Sequence, residues 1–150
     1  MYIGIDPGQQ GGIAVLDDRG NVVDVTKMPQ TPFDILSYLK QYDKACTTVY
    51  LEDVGHGIPG QSSKATANFA RHNGHLEMAL LSCELRTIKC TPQKWMKTYQ
   101  MGKSKDYTKA GWKRKLKEKC QQLFPTLGKQ ITLSTCDALL IAFYGYQQER

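Results

Sequence analysis

The stretch Tyr2–Asp6, reading YIGID, ends on a carboxylate and runs at once into Pro7 and Gly8. Tyr2, Ile3 and Ile5 have the aromatic and β-branched character of a buried strand. A second strand-like run, Gly12–Leu16, begins a few residues later. The chain therefore delivers an acid to the mouth of a core strand and then turns back sharply. A charge in that position is costly unless it is paired, open to a cleft, or bound to a cation. Whatever fold forms has to supply Asp6 with a partner from elsewhere in the chain.

The remaining pattern is that of alternating strands and helices. Residues 1–6, 12–17 and 21–27 read as three short strands, with Gly11-Gly12 between the first two and a hairpin-type turn, DDRGN, between the second and third. Phe33, Leu36, Leu39 and Tyr42 follow at helical spacing. TTVYLEDV is a fourth strand, and GHGIPG after it is a glycine-rich loop. Residues 62–82 read as a long helix with Ala65, Phe69, Leu76 and Ala79 on one stripe, and Gly74 inside it allows a close approach. ELRTIKC is a fifth strand, residues 93–105 a short helix and basic loop, residues 109–124 a basic helix, and residues 134–146 an apolar helix. This order predicts one α/β domain over residues 1–150, a mixed five-stranded sheet flanked by helices. At 150 residues it can bury a sizeable core.

Two further acids sit where Asp6 does. Glu52 ends the fourth strand in VYLEDV, and Asp137 lies in the first turn of the apolar helix, in STCDALLIAFYGY. Singly, each has an ordinary explanation: a turn cap, a surface strand end, and a helix N-terminal acid favoured by the dipole. Together they are less ordinary, because one sheet can bring adjacent strand ends and a helix start to a single edge. Hard oxygen ligands meeting there suit Mg²⁺ or Mn²⁺, and a pair of such ions bridges a phosphate well.

IGIDPG followed by a glycine and a second strand, the acid-ended strand LEDV, and the helix DALLIA resemble, in order and spacing, the three acidic motifs of the RuvC family of Holliday-junction resolvases, of the RNase H-like superfamily. With LFP closing the basic helix, the compact layout looks most like the phage and other viral members. The resemblance spans roughly residues 1–146. It implies an RNase H-like fold with three antiparallel N-terminal strands, and Asp6, Glu52 and Asp137 as ligands of two Mg²⁺ (or Mn²⁺) ions per site. It also implies a homodimer acting on four-way or branched DNA without a small-molecule cofactor, in the cytoplasm of a bacterium or of a virus-infected cell. The fourth ligand position, an acid or histidine in bacterial members, is Ser134 here. Asp53 is no substitute, since neighbours on a strand point to opposite faces.

The charge distribution points the same way. The net charge is +6, yet residues 94–119 carry ten Lys or Arg against two acids, and the rest of the chain ten basic residues against twelve acidic. Such a block is either a solvated helix face or a phosphate-backbone footprint. By the resemblance, Lys97 and Lys113 are catalytic-region lysines, with Lys109 the alternative to Lys113 should the register slip one turn. Lys94, Lys103, Lys105, Lys109 and Arg114, with Lys115 and Lys117, are backbone contacts, and Lys64 and Arg71 on the long helix reach phosphate. His56 and Ile58 in the glycine-rich loop are wedges at the junction centre. Trp95 and Trp112 read as core anchors rather than stacking platforms, and His72 and His75, three apart, as ordinary packing or polar residues.

Other classes fare less well. No apolar run is long enough to cross a bilayer, and no secretory signal is expected. The five cysteines, odd in number and without CxxC spacing, point to reduced intracellular thiols rather than disulfides or zinc. An actin-like or sugar-kinase-like ATPase opens on a similar strand but needs a second subdomain, for which 150 residues leave little room. A flap or broader branched-DNA nuclease, an RNase H-like enzyme on RNA–DNA hybrids, and a junction-binding protein with weakened catalysis remain as alternatives.

Overall fold

The computed structural model describes residues 1–55 and 60–150; His56 and Ile58 lie outside the described residues. Five strands, β1 (Tyr2–Asp6), β2 (Gly12–Leu16), β3 (Val22–Lys27), β4 (Thr48–Glu52) and β5 (Arg86–Cys90), form one sheet in the order β3-β2-β1-β4-β5. The first three pair antiparallel, and β4 and β5 add in parallel on the other side of β1. The expected mixed sheet with an antiparallel N-terminal half is therefore present. The parallel strands require crossovers, which helices provide.

Local chemistry starts those helices. In α1 (Pro32–Leu39), Thr31 accepts a hydrogen bond from the Asp34 backbone N–H at 3.1 Å while Pro32 occupies the first turn. In α2 (Ser63–Ser82), Ser62 accepts from Ala65 at 3.2 Å, and in α4 (Lys109–Leu123), Thr108 accepts from Gly111 at 3.0 Å. The shorter α3 (Pro92–Thr98) also opens on proline. The last helix, α5 (Cys136–Gln148), begins later than the apolar pattern alone implies. Thr135 Oγ1 donates to Gln130 O at 2.7 Å and accepts from Thr132 N–H at 2.9 Å, which holds the preceding segment in a turn.

The sheet has a core on each face. Ile3, Ile5, Ile13, Val15, Val49 and Leu51 point towards α1 and α2. Ala14, Leu16 and Tyr50 point the other way, to α5, α3 and α4. On this second face α5 lies almost on the backbone of β1. A Cβ on Gly4 would fall 2.2 Å from Ala138 O and 2.2 Å from Ala142 N, and one on Gly145 2.3 Å from the Tyr50 ring. Ala138, Ala142 and Gly145 thus form the small-residue stripe by which the helix seats itself on the sheet.

One further sequence expectation needs revision. Gly74 makes no close approach, since a Cβ there meets nothing within 4 Å. The fourth strand ends at Glu52, as expected, and the Asp53 N–H that follows still bonds to Cys90 O on β5 (2.8 Å). A 3₁₀ segment, Pro125–Gln130, follows α4 and bends at Gly128, whose φ is 53°. Trp95 and Trp112 are core residues, as their type suggests. No helix among the described residues is long and apolar enough to cross a membrane.

The two glycines give opposite expectations. Gly4→Val destabilises by roughly 3 kcal/mol or more, because backbone rather than a mobile side chain meets the added atoms. Gly74→Ala stabilises by about 0.5–1 kcal/mol through helix propensity alone. Urea denaturation of both variants checks the pair.

Candidate active site

The register of β1 against β4 brings the first two carboxylates together. Ile5 pairs with Leu51, so Asp6 and Glu52 are the next residues along each parallel strand. Alternation places both on the face opposite Ile5 and Leu51, the face that α5 covers. The two carboxyl groups lie close enough for Glu52 to raise the Asp6 pKa. Trp95, fully buried on α3, donates its indole N–H to Glu52 Oε1 at 2.8 Å and so fixes the glutamate's orientation. Indole is a donor only, and therefore favours the ionised acceptor.

The third acid arrives from α5. Seated against Gly4, the helix brings Asp137, in its first turn, near the ends of β1 and β4. Asp137 is only 4% exposed. Lys113 on α4 makes an ion pair with Asp137 Oδ2, and Cys136 Sγ lies 3.3 Å from Oδ1. Lys113 is thus the lysine of the basic helix that reaches the carboxylates, while Lys109 is exposed at the helix start.

These charges are poorly balanced. Burial, then the Asp137 and Glu52 carboxylates, push the Asp6 carboxyl well above the usual range, against the opposing pull of Lys113. Burial also raises Glu52; the Trp95 hydrogen bond opposes it, and Asp137 reinforces it. For Lys113, burial lowers the pKa but is outweighed by Asp137, the hydrogen bond to it, and Asp6, so the ammonium is held charged. One lysine faces three acids in a partly dry site, which favours the neutral form of Asp6.

That imbalance is what a divalent cation relieves. The donor set is all oxygen and anionic, which suits Mg²⁺ or Mn²⁺. Among the described residues, however, no three His, Cys, Asp or Glu side chains stand as a ready metal cage. Asp137 is engaged with Lys113, and Asp6 feels the charge of Glu52 and Asp137. Cation binding would favour the ionised form of Asp6 and require Asp137 to loosen from the ammonium.

Asp6, Lys113 and Ser134 line one cleft of about 440 Å³, walled by the Pro7–Gly11 turn, Phe69 and Leu133. Ser134, the residue at the expected fourth ligand position, is thus beside Asp6. Gly11 is what allows the turn to fold back, since a Cβ there would lie 2.0 Å from Asp6 O. Lys97 stands exposed near the end of α3, and among the described residues no hydrogen bond or ion pair joins it to the acids. Lys94, Lys103, Lys105, Lys109, Arg114, Lys64 and Arg71 are all exposed, while Lys115 is tied to Tyr107.

Sequence reasoning missed the second role of Trp95, as a donor to Glu52. Its signal was a donor-only aromatic three residues after Pro92, on the helix that follows the strand beside Glu52. It also missed Phe69, assigned to the helix's packing stripe, which reaches over Gly8 at 3.3 Å from a Cβ position and walls the cleft.

Sheet order, crossing helix and cleft together define an α/β domain with the RNase H-like fold, in its RuvC form. The architecture is similar to that of Thermus thermophilus RuvC in complex with a Holliday junction substrate, with a TM-score of 0.68, 15% identity, and coverage of 98% of this chain and 93% of that one. A second Thermus thermophilus RuvC structure is similar at a TM-score of 0.61 and 14% identity, covering 98% of this chain and 94% of that one. No protein-family profile and no curated protein sequence matches the chain.

The charge imbalance predicts a stability signature. A carboxyl whose folded pKa is raised favours the folded state below its unfolded pKa, about 3.9. That contribution is lost as pH rises through the folded value. Asp6→Asn therefore unfolds at a higher temperature than wild type at pH 7 without divalent cations, and the gap narrows as the pH falls towards about 4. Thermal melts at both pH values check this; a variant no more stable at pH 7 contradicts the charge balance described.

Proposed function

We propose that this protein is a metal-dependent endodeoxyribonuclease that resolves four-way (Holliday) DNA junctions by symmetric nicking, leaving 5′-phosphate and 3′-hydroxyl ends. The observation that carries the reading is the meeting of Asp6, Glu52 and Asp137 beside Lys113, from two strand ends and a helix start. In this reading Asp6, Glu52 and Asp137, with Ser134 beside them, hold two Mg²⁺ or Mn²⁺ ions. Bound there, such ions activate water and offset charge on the leaving oxygen of a phosphodiester.

The chain's own groups do the rest. Trp95 keeps one Glu52 oxygen engaged, which fixes where the other points. Lys113 supplies positive charge next to Asp137, where it also faces the phosphate as negative charge builds up. Exposed Lys94, Lys103, Lys105, Lys109 and Arg114 follow the DNA backbone, with Lys64 and Arg71 from α2 and Lys97 nearer the cut. His56 and Ile58 act at the junction centre. Paired nicks require a two-fold homodimer, for which α2 offers the exposed apolar side chains Met78 and Leu81. The compact layout fits a viral enzyme working in the cytoplasm of an infected cell, or its bacterial counterpart.

A second reading is a junction-binding protein with weakened catalysis. Ser134 in the fourth position and the Lys113–Asp137 ion pair favour it. The two part in one assay: a synthetic four-way junction with Mg²⁺, beside linear duplex, flap and RNA–DNA hybrid controls. The resolvase reading expects symmetric nicks near the crossover, lost by at least 10³-fold in Asp6→Asn while junction binding persists. Tight binding with no Mg²⁺-dependent nicking supports the second reading. Preferential cleavage of flaps or hybrids replaces the substrate assignment.

Replacing Lys113 with alanine separates the two lysines of α4. It lowers the cleavage rate by about 10²-fold or more at saturating DNA, whereas Lys109→Ala alters affinity and its salt dependence with little change in rate. Single-turnover kinetics at two salt concentrations distinguish them.

A further inference from the structure

Beside the carboxylate cleft lies a smaller pocket of about 240 Å³ that the reading above does not use. Gln9 lines both, so only the side of one loop separates them. Its rim carries the carboxamides of Gln9, Gln30 and Asn68, together with Arg71 and His75, all exposed. Pro32 and Ile35 form an apolar wall. No carboxylate lines it.

The floor is His72, which is 8% exposed. Its Nε2 has no hydrogen-bond partner among the described residues and no contact with solvent. A buried polar atom left in that state is destabilising. Burial, and then neighbouring His75, lower the imidazole's pKa, which keeps the ring neutral with one donor and one acceptor nitrogen.

We propose that this pocket receives a single unstacked nucleobase of the DNA strand whose phosphate lies at the Asp6 cleft, and so sets a sequence preference next to the cut. The inference rests on the junction-nuclease reading for its substrate. A nucleobase fits better than a phosphate group. Three carboxamides and an imidazole each offer donors and acceptors, matching the mixed edge of a heterocycle, as carboxamides do in reading adenine. Phosphate offers acceptors only, and Arg71 is the one full positive charge in the pocket. Pro32 and Ile35 supply an apolar surface for the face of the ring.

The spacing suits a base close to the cut. Gln9 is three residues beyond Asp6, at most about 11 Å of chain. That is roughly three stacked nucleotide steps of about 3.4 Å. A branch point already holds bases with weakened stacking, and extruding such a base costs least.

The test uses the full chain and a four-way junction carrying an abasic site at one position at a time on each side of the crossover. Binding is read without divalent cations and cleavage in parallel with Mg²⁺. Wild type loses about tenfold in affinity at one position within about three nucleotides of the cut and little elsewhere. Asn68→Ala and Gln30→Ala, both at exposed positions, bind the intact junction about tenfold more weakly and no longer respond to that abasic site. A flat positional profile, or variants that keep the wild-type profile, overturns the proposal even where nicking is normal. A positional effect lost in Asn68→Ala, with no nicking of any DNA, keeps the base pocket and removes the nuclease reading. Absence of any DNA binding removes both.

Discussion

The seating of α5 on the backbone of β1 is the contact from which the candidate site follows. Gly4 leaves no room for even a methyl group between strand and helix, and Ala138 and Ala142 present the helix's own backbone to it. Helix and strand are therefore fixed to within a fraction of an ångström, because packed backbone cannot yield as a side chain can. Asp137 lies one residue before Ala138, and Asp6 two residues after Gly4. Small residues that carry no chemistry themselves set where two of the acids meet.

The same closeness creates an electrostatic debt within the fold. Asp6, Glu52 and Asp137 share one lysine and a buried indole donor, and the Asp6 carboxyl is pushed well above the usual range. A structure selected for stability alone would place amides or apolar groups there, since unpaired buried acids weaken a fold. Local instability at an open cleft is what a cation-binding or catalytic site entails. The acids, the basic helix beside them and the unpartnered His72 in the adjoining pocket all lie around one edge, at the carboxyl ends of β1 and β4.

Much of this was legible in the residues. The hydrophobic alternation and the β-branched runs mark the elements within a few positions of where they lie. Asp6, Glu52 and Asp137 could be singled out because each breaks an apolar pattern at an element's end. Gly74 misled, since a glycine inside a helix looks the same whether a neighbour crosses it or solvent does. Trp95 was readable as core but not as a donor to Glu52, because that hydrogen bond joins residues 43 positions apart. The late start of α5 depended on the Thr135 hydroxyl choosing Gln130 O and Thr132 N–H, a local competition that propensity does not rank.

The sequence by itself determined the alternation of elements, the acids at their ends and the single basic block, because these are properties of short segments and their periodicity. Only the tertiary structure decided that Lys113 rather than Lys109 meets Asp137, that Trp95 orients Glu52, and that His72 Nε2 is buried without a partner among the described residues. Those outcomes depend on how helices rotate and seat against the sheet. Such seating is governed by packing between residues far apart in the chain, where a one-turn difference changes which side chain arrives.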